Sequence, residues 1–201
     1  MKIVIASGNM HKKNEFAAIF QEHTLLLPAD LGINFHHEET SDTYVGNALG
    51  KAQTLYRMMR EAGMEALPVI SDDSGISVPA LGGEPGVYSA RYGQEETGRD
   101  LRDDERNLFL LDKMKNIRER AAFFVCAMVF LTGEYRFFTA QETWTGQLAE
   151  SPSGSKGFGY DPLLYLPDKG CTAAQLDPAE KNRISHRAKA ALALKILMER
   201  L

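Results

Sequence analysis

Cysteine is nearly absent from this chain, with two in 201 residues: Cys126 inside an apolar run and Cys171 beside a glycine. They form neither a CxxC pair nor a cluster with metal-ligand spacing, so no disulfide scaffold is expected, and a reducing compartment, by default the cytoplasm, fits. Long hydrophobic runs are missing too. The longest, 121–131, is too short to cross a bilayer and reads as a buried strand. The apolar start of the chain ends before Ser7-Gly8-Asn9, short of the hydrophobic region of a signal peptide. Neither membrane insertion nor export is expected. A basic excess is also lacking: 23 Lys plus Arg stand against 27 Asp plus Glu, a formal net charge of -4. A non-specific grip on a polynucleotide needs a basic surface that releases counterions, so that class is excluded. The Walker A and GxGxxG patterns do not occur, and standard P-loop and dinucleotide folds are unsupported. Any phosphate chemistry here must be local.

What remains is an ordinary globular composition, 44% apolar and 25% charged. A chain of this length buries about 70% of the surface its unfolded form exposes, enough for one domain over 1–201 or two closely associated lobes. A short buried strand at 2–7 breaks at Gly8-Asn9 before a helix expected over 11–22. A second strand, 24–27, leads through the polar stretch Glu38-Glu39-Thr40-Ser41-Asp42 to a helix over 43–62, where Ala48, Ala52, Leu55 and Met59 recur at helical spacing. Ser41 or Asp42 is its expected N-cap. The strand 67–71 delivers Asp72-Asp73 at its C-terminal end. A charged helix is expected over 101–114, and two strands, 121–131 and 134–142, form a hairpin turning at Thr132-Gly133. A glycine-rich loop, 151–159, precedes the apolar segment 163–166. Asp177-Pro178 opens a helix. Continued as one helix, it would turn His186 and Arg187 about 100° per residue away from the face of Lys181 and Ser185. A break at Ser185, with a new helix to Leu201, brings Lys181, His186 and Arg187 towards one pocket, and is the preferred reading.

Three groups of residues could carry chemistry. The turn Ser7-Gly8-Asn9-Met10-His11-Lys12 joins a strand to a helix, and backbone N–H groups at a helix start, with Lys12, favour an anion; locally, a solvated turn explains the same residues. Glu38, Glu39, Asp72 and Asp73 are adjacent acids that repel unless a cation or basic groups neutralise them. Such oxygen ligands suit Mg²⁺, and a carboxylate beside it can activate water. The alternative is an Asx turn at Asp73-Ser74-Gly75 beside an exposed acidic loop. In Gly157-Phe158-Gly159-Tyr160-Asp161-Pro162, flanking glycines let the Phe158 ring stand open for stacking on a base, or let it cap the core beneath a turn. His186 alone reads equally as a structural histidine.

Taken together, Ser7 to Lys12, Glu38-Glu39-Thr40, Asn47-Ala48 with Lys51, Ser71 to Gly75, Leu81-Gly82-Gly83-x-Pro85-Gly86 with Ser89 to Tyr92, Gly157 to Pro162 and Ser185-His186-Arg187 stand in an order that closely resembles the inosine triphosphate pyrophosphatase family, or dITP/XTP pyrophosphatases. Position 7, often Thr there, keeps a hydroxyl as Ser. The resemblance spans essentially the whole chain. It implies an α/β fold, a long mixed central sheet flanked by helices in two lobes with the site in the cleft between them, and usually a homodimer, in which the region 82–92 serves either the interface or the cleft. It implies Mg²⁺-dependent hydrolysis of ITP, dITP and XTP to the monophosphate and pyrophosphate. Asp73 would be general base and metal ligand, Glu39 the second ligand, and Asp72 their neighbour. Ser7, Gly8, Asn9, Met10, His11 and Lys12 would cradle the triphosphate with Lys51, Ser74 would touch substrate, and Phe158 would stack on the purine within the loop Phe158, Gly159, Tyr160, Asp161. Lys181, His186 and Arg187 would read the base edge. Lys181 and Arg187 are donor-only, so they satisfy the 6-carbonyl of hypoxanthine or xanthine and reject the 6-amino group of adenine. A pyrophosphatase of similar fold acting on modified pyrimidine nucleotides, and a non-catalytic nucleotide-binding regulator, are the alternatives.

Overall fold

Apolar residues on both faces of a short strand demand cover on both sides, and the first strand has it. In the computed structural model, which describes residues 1–200 with the side chain of His11 excepted, β1 (Lys2–Ile5) lies between β2 (Thr24–Leu26) and β3 (Val69–Ser77), parallel to each. Val4 pairs in register with Leu26 on one side and Val69 on the other. The seven-stranded mixed sheet has the order β2-β1-β3-β4-β5-β6-β7, the remaining strands being β4 (Ala121–Gly133), β5 (Arg136–Leu148), β6 (Leu164–Leu166) and β7 (Cys171–Thr172). β6 runs antiparallel to β5, and β7 to β6. Six helices accompany the sheet: α1 (Met10–Ile19), α2 (Tyr44–Glu61), α3 (Gln94–Thr97), α4 (Asp103–Lys113), α5 (Pro178–Ile184) and α6 (His186–Met198). The expected α/β class is the one observed. Among the described residues no helix is long and apolar enough to cross a membrane.

The chain divides into two compact units. The first, residues 1–73, 126–142 and 186 onward, is a three-layer sandwich. Ala48, Ala52, Leu55 and Met59 of α2 pack on Val4, Ala6, Val69, Val129 and Leu131. On the opposite face of the same strands, Ile3, Ile5, Ile70, Met128 and Phe130 meet Phe16 of α1, Phe20 just beyond it, and Ala190, Ala191 and Leu194 of α6. Successive residues of β4 therefore serve opposite layers, as a period of two requires. The second unit, residues 74–125 and 143–185, gathers Ile76, Val78, Leu110, Met114, Phe124, Trp144, Leu148, Tyr160 and Leu164 into its own core.

The departures from expectation have local causes. α1 ends at Ile19, because His23 N–H already turns back to the Phe20 carbonyl to enter β2. The N-cap of α2 is Thr43, whose Oγ1 accepts from Gly46 N–H, while Ser41 Oγ accepts from Thr43 N–H just outside the helix. Asp72 and Asp73 lie inside a strand instead of at its end, and no Asx turn forms: β3 runs on through Gly75 to Ser77. A side chain at Gly75 would stand 2.3 Å from Ser89 Oγ and 2.4 Å from the Gly86 carbonyl, so glycine lets the strand pass that loop. The hairpin turns at Glu134-Tyr135, two residues late, and β5 continues to Leu148 because Trp144, Gly146 and Leu148 alternate inward. The break at Ser185 is present, with extended backbone between α5 and α6; Leu201 lies outside the described residues.

Candidate active site

In the first unit two adjacent acids of β3 are buried together, and each is compensated differently. Asp72 is 2% exposed. One of its oxygens accepts from Lys12 Nζ at 2.9 Å and the other from Arg187 Nε at 3.2 Å, while Arg187 Nη1 also donates to Glu15 at 2.8 Å. Burial alone would push the Asp72 carboxyl up, but Lys12, Arg187 and Lys51 outweigh it and hold the group well below the ordinary carboxylate range. It is a fixed anion that orients two cations. Cys126, buried beside this group, has its thiol pushed up to about 12 by burial and by Asp72, and so carries no reactive thiolate.

Asp73 points to different partners. Its Oδ1 accepts from Lys51 Nζ at 3.2 Å and its Oδ2 from Asn47 Nδ2 at 3.2 Å. Lys51 also donates to the Asp72 carbonyl at 3.1 Å and pairs with Glu39. Here burial wins: with the Glu39 charge nearby it raises the Asp73 carboxyl above its ordinary value, against Lys51 and Asn47. The Lys51 ammonium is opposed by burial but kept charged by Asp73, Asp72 and Glu39. Helix α2 sets this geometry, since Asn47 and Lys51 are four residues apart on one face. Asn47 Oδ1 further accepts from Ser41 N–H at 2.9 Å, tying the segment after Glu39 to the same helix. Among the described residues no group of three or more His, Cys, Asp or Glu is assembled. Two carboxylates, Glu39 and Asp73, meet at one ammonium, with their mutual repulsion only part-relieved. That donor set fits Mg²⁺, which is usually held by one or two carboxylates with waters and substrate phosphates.

The turn after β1 is internally bonded: Asn9 N–H donates to Ser7 Oγ at 3.1 Å, and Asn9 Oδ1 receives Lys12 N–H at 3.4 Å. Gly8 and Met10 are exposed. The expectation for the His11 side chain falls outside the described residues. Ser74 follows Asp73 in β3 and is half-buried.

The second unit holds the aromatic loop. Gly157 and Gly159 have φ of 77° and 62°, in the left-handed region. A side chain at Gly157 would stand 2.1 Å from Asp161 Oδ2 and 3.1 Å from Lys181 Nζ, so only glycine fits. Asp161 Oδ2 accepts from Phe158 N–H at 2.8 Å and pairs with Lys181. The Lys181 Nζ lies 5.1 Å from the centre of the half-buried Phe158 ring. Tyr160 is a core residue whose hydroxyl donates to the Ser89 carbonyl at 2.9 Å. The break at Ser185 turns its flanking cations onto different carboxylates, Lys181 onto Asp161 and Arg187 onto Asp72 and Glu15, and His186 is buried. Sequence reasoning missed Glu15, three residues beyond Lys12 on the same helix face, and gave Asn47 no role.

An α/β sheet protein with buried carboxylate–lysine clusters and a glycine-bracketed aromatic loop defines a class, and comparison with known proteins narrows it. The Ham1 family model matches residues 3–197. The dITP/XTP pyrophosphatase of Treponema denticola is 44% identical over 190 residues, 94% of each chain. The Staphylococcus aureus Ham1 protein superposes with a TM-score of 0.85 at 37% identity, covering 99% of this chain and 98% of that one. The HAM1 protein of Coxiella burnetii gives 0.88 at 33% identity over the whole of both chains. The chain belongs to the Ham1 family.

Proposed function

We propose that the whole chain is one nucleoside triphosphate pyrophosphatase domain, converting ITP, dITP and XTP to the monophosphate and pyrophosphate with Mg²⁺. The observation that carries this is the grouping of Glu39, Lys51, Asp73 and Asn47: a buried carboxylate of raised basicity, fixed in direction, beside a second carboxylate. Relatives named dITP/XTP pyrophosphatase, over nearly the full length, support the substrate class.

Asp73 takes a proton from water. The water oxygen attacks the α-phosphorus, the bond from that phosphorus to its bridging oxygen breaks, and pyrophosphate leaves with the electron pair. Lys51 and Asn47 hold the Asp73 oxygens against rotation, so the base is oriented before substrate arrives. Glu39 and Asp73 would hold Mg²⁺, which when bound supplies Lewis-acid stabilisation of the phosphate oxygens. Residues Ser7 to Lys12, with Lys51 and Ser74, take the phosphate chain. Asp72 keeps the Lys12 ammonium placed and charged.

The base end falls to Phe158, as stacking surface, with Gly159, Tyr160 and Asp161 shaping its loop, and to Lys181, His186 and Arg187 as readers of the 6-position. Cationic donors there accept hypoxanthine and xanthine and leave an adenine amino group facing donors. Family membership also leads us to place the enzyme in the cytoplasm as a homodimer, the latter checked by light scattering on the purified protein. The test of the activity is a substrate panel of ITP, XTP, dUTP, methylated pyrimidine triphosphates and the four standard nucleotides. Preference for the 6-oxo purines is expected. A pyrimidine preference would overturn the reading, and turnover unaffected by Asp73→Asn would favour a non-catalytic regulator.

A further inference from the structure

The loop that carries Phe158 is gripped by a helix to which the proposed function gives no part. Asp103 and Asn107 of α4 are four residues apart, on one helix face, and both bind Gly159. Gly159 N–H donates to Asp103 Oδ2 at 2.7 Å, and Asn107 Nδ2 donates to the Gly159 carbonyl at 3.1 Å. Both polar groups of the residue after Phe158 are thereby fixed, while Asp161 fixes the Phe158 N–H itself. The grip has its own support: Arg106 pairs with Asp103 and donates to the carbonyls of Ala90 and Leu101.

Asn107 is 3% exposed, and its Oδ1 is buried with no hydrogen-bond partner among the described residues. A buried amide satisfied at one end is a poor choice for packing, because leucine, of similar size, would fill the space without stranding an acceptor. What the amide provides and leucine does not is the bond to the loop. Asn107, Gly157, Phe158 and Gly159 are among the residues that line a pocket of about 410 Å³ in this unit, with Leu108 and Lys156.

We propose that Asp103 and Asn107 are positioning residues that set the plane of the Phe158 ring for a purine, so that α4 governs affinity for the base without touching the phosphates. This rests on the reading of Phe158 as the stacking surface. The test compares Asn107→Leu, Asp103→Ala, Asp103→Asn and Phe158→Ala, measuring kcat and KM for ITP, inhibition constants for IMP and for pyrophosphate, and thermal midpoints.

For Asn107→Leu and Asp103→Ala, the KM for ITP and the inhibition constant for IMP should each rise at least about fivefold, as partial loss of a base stack requires. The kcat and the inhibition constant for pyrophosphate should stay within about twofold, a split that general loss of structure would not produce. Asp103→Asn keeps an acceptor for Gly159 N–H and should recover most of the affinity, and Asn107→Leu should melt no earlier than the parent. If Phe158→Ala raises KM and the α4 variants do not, or if their losses follow a fall in thermal midpoint, the positioning role is wrong while the stacking surface stands. If Phe158→Ala leaves KM unchanged, both fall.

Discussion

Asp72 and Asp73 are neighbours in one strand, yet their surroundings drive their acidities apart, and each direction has a consequence. The Asp72 carboxyl is lowered by Lys12 and Arg187. A lowered folded-state value contributes stability above the unfolded value, near 3.8, and that contribution is lost as pH falls below it. Asp72→Asn should therefore flatten the loss of stability between about pH 5 and pH 2, followed by urea unfolding. Asp72→Ala takes from Lys12 its carboxylate and leaves Arg187 with Glu15, and should cost roughly 3 kcal/mol at pH 7. Asp73 has the opposite sign. Its raised value favours the protonated form, so its contribution is present below the unfolded value and lost as pH rises through the folded one. Asp73→Asn should therefore melt no earlier than the parent when both are chelator-treated, while with Mg²⁺ restored its turnover falls by roughly a hundredfold or more. Both acids were legible in the sequence as a pair needing neutralisation. The resemblance singled out Asp73, but what Asp72 holds was not legible, because it depends on Arg187, more than a hundred residues further along, and on Glu15, which only the folded chain brings to it.

At the scale of elements, the sequence carried five of the six helices, all but the short α3, and the break at Ser185, since apolar spacing and Asp177-Pro178 are local signals. Asp177 does cap α5, its side chain accepting from Ala179 N–H at 2.9 Å. It did not carry the full course of β3, because polar Ser71, Asp72, Asp73 and Ser74 read as the end of a strand. Their partners lie elsewhere in the chain: Ser71 Oγ donates to the Ala48 carbonyl of α2 at 2.6 Å, Asn47 and Lys51 of α2 take Asp73, and Lys12 and Arg187 take Asp72. That makes the start of α2 a sensitive point. Thr43→Ala removes the acceptor for Gly46 N–H and should cost about 1 kcal/mol, a fall of about 2–4 °C in melting midpoint for a chain of this length. The Phe158 loop is a second such point. Gly157→Ala drives a methyl group into Asp161 and Lys181 at a positive φ, and should raise the KM for ITP with little change in kcat.

For the molecule as a whole, the acidic composition first excluded a polynucleotide grip and left open how a chain of net charge -4 would meet a polyanion. On the proposed reading the answer is local. Lys12, Lys51, Lys181 and Arg187 are all seated on carboxylates, so the cations are held in place by the acids that make the total negative. The family was legible because its motifs recur in order along the entire chain, and the match over residues 3–197 agrees. The most direct measurement is incubation with ITP and Mg²⁺, with identification of the first products and the same assay on Asp73→Asn. The expected result is IMP and pyrophosphate in equal amounts, with the variant slowed roughly a hundredfold or more. Orthophosphate as the first product, or undiminished turnover by the variant, would contradict the assignment of Asp73 as the base for attack at the α-phosphorus.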